Sequence, residues 1–428
     1  MDPISTKLNE IYDDLESNVT FIYGRRDLLF GLDMIYHSVL SFYWGKELVQ
    51  KGWCEGLIIG DTKTGKSKTI ERILPHYGCG ERFTGEKVTF AGLVGGVQQS
   101  ANGKWTITWS VLPLNDRGLV CIDEAASESI KELIPSLSNI RSSGVAEIIA
   151  IQTAKTNARV RLLWSCNPIR LISHYDYGIL SIRDFATQQE DIARFDFAFT
   201  MGKDEVTEQE IRDGEKRVVA QKYNKELCHN LVMWAWTRKP SDIIISAKVK
   251  ELILDKSKEL AKKYASPILL VEPHEQRIKI ARLSIALACR LFSTDNGEKV
   301  LVLPEHVEFI SNWLDMLYSK PCMAYDKYAS IHQKTENISL TNYEQIKAEL
   351  MEKPKWQHLV WIFLHATHFR KNDVCEQMGI ETGEARDLFK WLSGNRLIFM
   401  GNKGYIKHPG FTKLLKELES EAEESEEA

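Results

Sequence analysis

No two of the chain's eight cysteines form a Cys-x-x-Cys pair. Cys54, Cys79, Cys121, Cys166, Cys228, Cys289, Cys322 and Cys375 are scattered, several of them in apolar runs. That spacing argues against a structural zinc site. Free buried thiols fit a reducing compartment, the cytoplasm. No apolar run approaches the roughly 20 residues of a membrane-spanning helix, and the opening "MDPISTKLNE" is polar, unlike a secretory leader. Internal repeats are missing as well. So is a strong excess of either charge. The net charge is −4, and residues 417–428 alone hold seven glutamates and no Lys or Arg. The remainder is therefore mildly basic, which permits nucleic-acid binding without demanding it. The acidic tail itself reads as a disordered, solvated charge run.

At 428 residues the chain is too long for one hydrophobic core. Residues 1–50 read as helical, with "DLLFGLDMIYHSVLSFYW" apolar at helical spacing. Residues 56–200 alternate short apolar runs ("GLIIG", "GLVCID", "VRLLWSCNP", "RFDFAFT") with helical patterns. Such alternation predicts an α/β fold with a parallel sheet, assigned to residues 1–204. Residues 205–320 turn helical, and residues 321–342 are polar and read as a linker. Residues 343–416 read as three helices and a hairpin, the pattern of a winged helix. Arg386 and Lys390 lie four apart on its third helix and Lys403 on its wing, where DNA contact would fall. His358, His365 and His368 do not share one helical face, and read as core or surface rather than as metal ligands.

Chemistry concentrates in "GLIIGDTKTGKSKTI". Gly60-Asp61-Thr62-Lys63-Thr64-Gly65-Lys66-Ser67 follows an apolar run and opens a helical pattern. This is the strand–loop–helix setting of a phosphate-binding loop. The glycines let backbone N–H groups turn inward, and a helix N-terminus adds its positive end. Lys66 would reach the β- and γ-phosphates of ATP, and the Ser67 hydroxyl would ligate Mg²⁺. "GLVCIDEAAS" places Asp123 and Glu124 at the end of a buried strand, suited to holding Mg²⁺ and activating water respectively. "RLLWSCNPIR" ends another strand at Asn167, whose amide would reach the lytic water or the γ-phosphate. The bland alternative is a turn, since Asn-Pro favours one. "DIARFDFAFT" reads as a strand in which Arg194 is out of place among aromatic residues.

Taken in order, these motifs resemble an AAA+ ATPase and, more narrowly, the minichromosome maintenance (MCM) helicase core. "FIYGRRDLLFGL" resembles that family's Ile-Tyr-Gly helix. "GLVGGVQQSANGKWTITWSVLPLNDRGLVCIDEA" resembles its stretch from the helix-2 insert to the acidic pair. "TNARVRLLWSCNP" and "ARFD" resemble its Asn-Ala-Arg strand and its Ser-Arg-Phe-Asp motif. The likeness spans about residues 20–320. It implies an AAA+ subdomain over residues 1–204, a helical lid over 205–320, and a homo-oligomer, by resemblance a hexamer. It makes Arg194 a finger that completes the neighbouring subunit's site, and Arg277, with Arg282 as runner-up, a second arginine sensing the nucleotide.

The resemblance also implies two hairpins, one around Asn102-Gly103 and one over Glu147–Arg159, with Lys104 and Lys155 as candidate phosphate contacts. Three departures stand out. Gly65 occupies a position where the family has Ala. Ile149 occupies that of the family's pore lysine. Only 21 residues precede "IYGRRD", and the expectation is that the family's N-terminal DNA-encircling region is missing, replaced by a separate protein, or unnecessary. The leading expectation is an ATP-driven DNA helicase of a mobile element or virus. A second, of another class, is an ATPase that remodels a protein complex or acts in defence. A third is an ATP-dependent switch that loads a partner.

Overall fold

The structure, a computed structural model, describes residues 3–99, 102–125, 128–151, 153–335, 340–366, 368–401 and 404–426. Five parallel strands form the central sheet: β1 (Glu55–Gly60), β2 (Glu81–Thr84), β3 (Leu119–Asp123), β4 (Arg161–Cys166) and β5 (Phe197–Met201). Their order is β5-β1-β4-β3-β2. β1, β3, β4 and β5 are buried at every residue, so they read as continuous apolar runs without alternation. β2, at one edge, is mostly exposed. β5, at the other edge, is covered. Phe197 meets Trp313 edge-on at 5.3 Å. A Cβ on Gly56 would stand 2.6 Å from the Phe197 ring, so β1 is glycine where that ring crosses it.

Asp33, on the helix Arg26–Tyr36, ties the surrounding helices together. It accepts from Tyr12 Oη (3.0 Å), Tyr77 Oη (2.6 Å) and Arg290 Nε (2.7 Å). Those donors come from helices Pro3–Leu15, Lys66–Tyr77 and Gln276–Arg290. All four side chains are buried, so losing Asp33 would strand the Arg290 charge without a counter-ion.

Several expectations change. The helical reading of residues 1–50 stops at Tyr36, and Phe42–Trp44 pairs with Glu47–Val49 in a hairpin turned at Gly45, φ +69°. Ile-Tyr-Gly lies between helices, not within one. Asp191 belongs to the helix Gln189–Ala193, and Arg194 caps that helix, because β5 begins only at Phe197. The boundary between the two compact units falls within residues 321–342, but this stretch is largely helical. Tyr325–Thr335 and Leu340–Met351 are helices, and residues 336–339 lie outside the described residues. Tyr325 is held against Tyr264 (5.0 Å) and donates to the Ile268 carbonyl at 2.6 Å. Aromatic residues at helical spacing thus outweighed the polar composition.

The chain divides into two compact units, residues 1–329 and 330–428. Unit one also contains the helices of residues 205–320, joined by a short parallel pair, Ile243–Ile245 with Val300–Val302. Unit two orders helices Leu340–Met351, Trp356–His365, Lys371–Met378 and Thr382–Gly394, the antiparallel hairpin Ile398–Gly401 with Gly404–Lys407, and helix Pro409–Glu426. That last helix corrects the disordered-tail expectation. Leu414, Leu415 and Leu418 are buried in the unit's core, and Tyr343 donates to Glu417 at 2.5 Å. The helix therefore continues into the acidic run.

His306 caps helix Pro304–Ser319, its Nδ1 accepting the Leu303 N–H at 3.0 Å. Burial lowers its pKa to about 4. The folded state thus holds this ring neutral while the unfolded chain takes up a proton below about 6.5. Its contribution is complete above pH 6.5 and is lost as pH falls from there towards 4. A loss of about 2 kcal/mol between pH 7 and pH 5 is expected from this group. Urea unfolding at the two pH values should show it, and the slope should shrink in His306→Gln.

Candidate nucleotide site

The phosphate loop leaves β1 at Gly60 and re-enters regular structure at Lys66, the first residue of helix Lys66–Tyr77. Two residues within it are left-handed, Lys63 (φ +66°) and Gly65 (φ +92°). That alternation curls successive N–H groups toward one side, as anion-binding loops require. The loop is braced from outside. The Asp61 carboxylate accepts the N–H groups of Ile172 (2.9 Å) and Lys203 (3.1 Å), and the Asp61 N–H goes to the Met201 carbonyl at 2.9 Å. Asp61 therefore anchors the loop to the ends of its neighbouring segments, with its amide already engaged. The Thr64 hydroxyl donates to the Asp61 carbonyl at 2.8 Å, while Thr62 and Lys63 are exposed.

Lys66 is buried, 5% exposed, and folds back over its own loop. Its Nζ donates to the carbonyls of Gly60 and Asp61 (3.0 Å), to Thr64 Oγ1 (3.3 Å) and to Asn167 Oδ1 (3.1 Å). Gly60 makes room for this, since a Cβ there would lie 3.1 Å from Lys66 Nζ. Burial lowers the Lys66 pKa to about 8, so the side chain stays largely cationic at pH 7. The structure thus brings Lys66 and Asn167 together from strands adjacent in the sheet, β1 and β4. Ser67, in the first turn of the helix, is half-buried.

Asp123 ends β3 and is 1% exposed. Its Oδ1 accepts the Glu124 N–H at 3.1 Å, and its Oδ2 accepts from Arg82 Nε (3.2 Å) and Nη2 (2.8 Å). Arg82 is absent from the sequence-level reading, because one arginine in "GERFTG" gives no signal until β2 is placed beside β3. Glu124 is exposed and left-handed, φ +56°, a strained conformation for a non-glycine residue. The Asp123 carboxylate and Ser67 hydroxyl are the hard oxygen donors that Mg²⁺ takes together with nucleotide phosphates and water. Among the described residues no group of three or more His, Cys, Asp or Glu surrounds a metal position. The protein's own share of such a site would be this pair.

Arg194 lies elsewhere. The Asp196 N–H donates to the Glu55 carbonyl at 2.8 Å, which puts the "ARFD" segment at the N-terminal end of β1. Lys66 lies past its C-terminal end. A six-residue strand separates them, about 17 Å. Arg194 Nη1 meets Asp191 Oδ1 at 2.9 Å, and Nη2 donates to Ser138 Oγ at 2.8 Å. Arg282 is committed at the same end of the sheet, buried against Asp196 Oδ1 (2.5 Å) and the Lys51 carbonyl (2.8 Å). Arg277, five residues earlier on that helix, is exposed.

Both expected hairpins are present, Gly95–Gln99 with Trp105–Trp109 and Val145–Ile149 with Thr153–Asn157. Neither offers an obvious cationic grip. Lys155 pairs across its hairpin with Glu147 at 3.0 Å, and Lys104 also has a partner. At the tip of the second hairpin Ile149 and Ile151 are 76% and 68% exposed. In unit two Arg386 and Lys390 are exposed on one helix, opposite its buried Ala385, Leu388, Phe389 and Leu392. Lys403 lies outside the described residues. His358 and His365 flank the exposed ring of Trp361, with centroids at 6.1 and 4.8 Å.

A parallel sheet in this order, with a phosphate loop after its first strand and an acidic pair and an amide at the ends of β3 and β4, defines a P-loop nucleotide-binding fold of the AAA+ type. A family model for the MCM P-loop domain matches residues 7–221, half of the chain, and the chain belongs to that family. Within unit one the Ile-Tyr-Gly segment completes the loop's surroundings. A Cβ on Gly65 would lie 2.8 Å from Ile22 Cγ2, and one on Gly24 2.7 Å from Val206 Cγ1. Gly65 is thus required twice, by its positive φ and by Ile22. Gly65→Ala is expected to weaken binding of a fluorescent ATP analogue about tenfold or more, since an alanine in left-handed backbone alone costs about 1–2 kcal/mol. Ile22→Ala in the same chain should restore part of the loss.

Proposed function

We propose that this chain is the ATP-hydrolysing subunit of a ring-forming motor, a hexamer as its family suggests, that translocates on DNA as a helicase. The observation carrying the ring is the separation of Arg194 from the chain's own phosphate loop. An arginine held at the N-terminal end of β1 cannot serve a nucleotide bound past the C-terminal end. Its use is on the nucleotide of a second copy. In this reading Lys66, Gly60, Gly65 and the loop amides hold the phosphates of ATP. Ser67 and Asp123 hold Mg²⁺, which when bound neutralises phosphate charge. Glu124 takes the proton of the attacking water, Asn167 orients that water, and the neighbour's Arg194 stabilises charge on the transferring phosphoryl group. Arg277, which is exposed, is the better second arginine, because Arg282 is buried in its pair with Asp196.

Family membership and a winged-helix reading of unit two, with Arg386 and Lys390 outward, support DNA as the track. The second reading, a motor that pulls on polypeptide, is favoured by one observation: the exposed Ile149 and Ile151 at a hairpin tip without an unpaired lysine. No helix among the described residues is long and apolar enough to cross a membrane.

Lys66→Ala and Arg194→Ala should each reduce ATP turnover at least a hundredfold. Mixing the two should restore a fraction of it, since the first supplies Arg194 and the second an intact loop. A mixture that stays silent rules out action between subunits. Single-stranded or duplex DNA should raise turnover several-fold and a forked duplex should be unwound. An oligomeric preparation that ignores DNA yet is stimulated by an unfolded polypeptide would replace the first reading with the second.

A further inference from the structure

Behind Arg194 lies a set of buried charges that the nucleotide site does not use. Arg141, on the short helix Ser138–Ser143, is wholly buried. Its Nε donates to Glu55 Oε1 at 2.6 Å, its Nη1 to Asp191 Oδ1 at 3.0 Å and its Nη2 to the Asp191 carbonyl at 2.9 Å. Its guanidinium lies 4.7 Å from the Phe195 ring centroid. Glu55 Oε1 is fixed in turn by Trp164 Nε1 at 2.9 Å, and Lys51 Nζ stands 3.5 Å from Oε2. All the nitrogens of Arg141 are therefore engaged, and its geometry is set from the sheet. Asp191 Oδ1 is shared, with Arg141 on one side and Arg194 Nη1 on the other. Ser138, on the same short helix as Arg141, takes the remaining Arg194 bond.

The charge count is also directional. Glu55 and Asp191 face three cations, Lys51, Arg141 and Arg194, of which only Arg194 is appreciably exposed, at 25% of its side chain. A carboxylate already bound by a buried guanidinium cancels only part of the charge on an exposed one. Arg194 is thereby held in place while retaining attraction for an outside anion. Two bonds from a rigid support, to Asp191 and Ser138, fix a long side chain that would otherwise lose about 2 kcal/mol of rotamer freedom when it engages.

We propose that Arg141 and Asp191 are positioning residues for hydrolysis in the neighbouring subunit, acting through Arg194. This rests on the reading of Arg194 as an arginine acting between subunits. The test uses the mixture of Lys66→Ala with Arg194→Ala full-length chains and adds Asp191→Asn to one partner at a time. Placed in the Lys66→Ala chain, which supplies Arg194, Asp191→Asn should lower the restored kcat about tenfold, the scale of one charge-assisted hydrogen bond, with KM for ATP unchanged. Placed in the Arg194→Ala chain, which supplies only the phosphate loop, it should leave the restored rate as it was. Loss in both arms marks a merely structural role, and loss in neither marks no role. Either result overturns the proposal. Absence of restoration in the parent mixture would overturn the between-subunit reading itself.

Discussion

Charges gathered at the N-terminal end of β1 hold the ATPase unit in register. Glu55 on β1, Asp191 before β5 and Asp196 just ahead of it face Lys51, Arg141, Arg194 and Arg282. Through them the edge strand, the helix Ser138–Ser143 and the helix Gln276–Arg290 are fixed to one point on the sheet. Removing charges from water costs several kcal/mol each, and is tolerated only where every partner is supplied. The network therefore specifies geometry more than it adds stability. It keeps a guanidinium at one end of a strand whose other end leads into the phosphate-loop motif, and the length of β1 sets the separation.

The opposite end is governed by close approach rather than charge. Asp61 braces the loop from outside, Gly60 admits the folded-back Lys66, and Ile22 presses on Gly65. The glycine at position 65 follows from that last contact together with a φ of +92°. Lys66 and Asn167 meet because β1 and β4 are neighbours in the sheet, and Asp123 meets Arg82 because β2 and β3 are.

Much of this was legible because it is local. A buried parallel strand must be a continuous apolar run, and a phosphate loop must place its glycines at fixed spacing, so β1, β3, β4 and the loop could be read directly. The Asn102-Gly103 turn signal likewise marked its hairpin. Where local composition and tertiary packing disagreed, packing won. Within residues 321–342, whose composition is that of a linker, Tyr325 starts a helix because it packs against Tyr264 and Tyr318. The glutamate-rich end looked disordered until Leu414, Leu415 and Leu418 entered a core. Arg282 could not be told from Arg277 by spacing, since what separates them is burial against Asp196.

By itself, then, the sequence determined the class of site: a phosphate loop, a strand-end acidic pair and the order in which strands and helices alternate. Those are properties of residues near one another in the chain, where spacing dictates geometry. Only the tertiary structure decided which charges meet. Glu55, Arg141 and Asp191 are separated by 86 and 50 positions, yet form one buried chain. Pairings at such distances depend on strand order, which no local pattern encodes, and it is those pairings that aim Arg194 away from its own nucleotide loop.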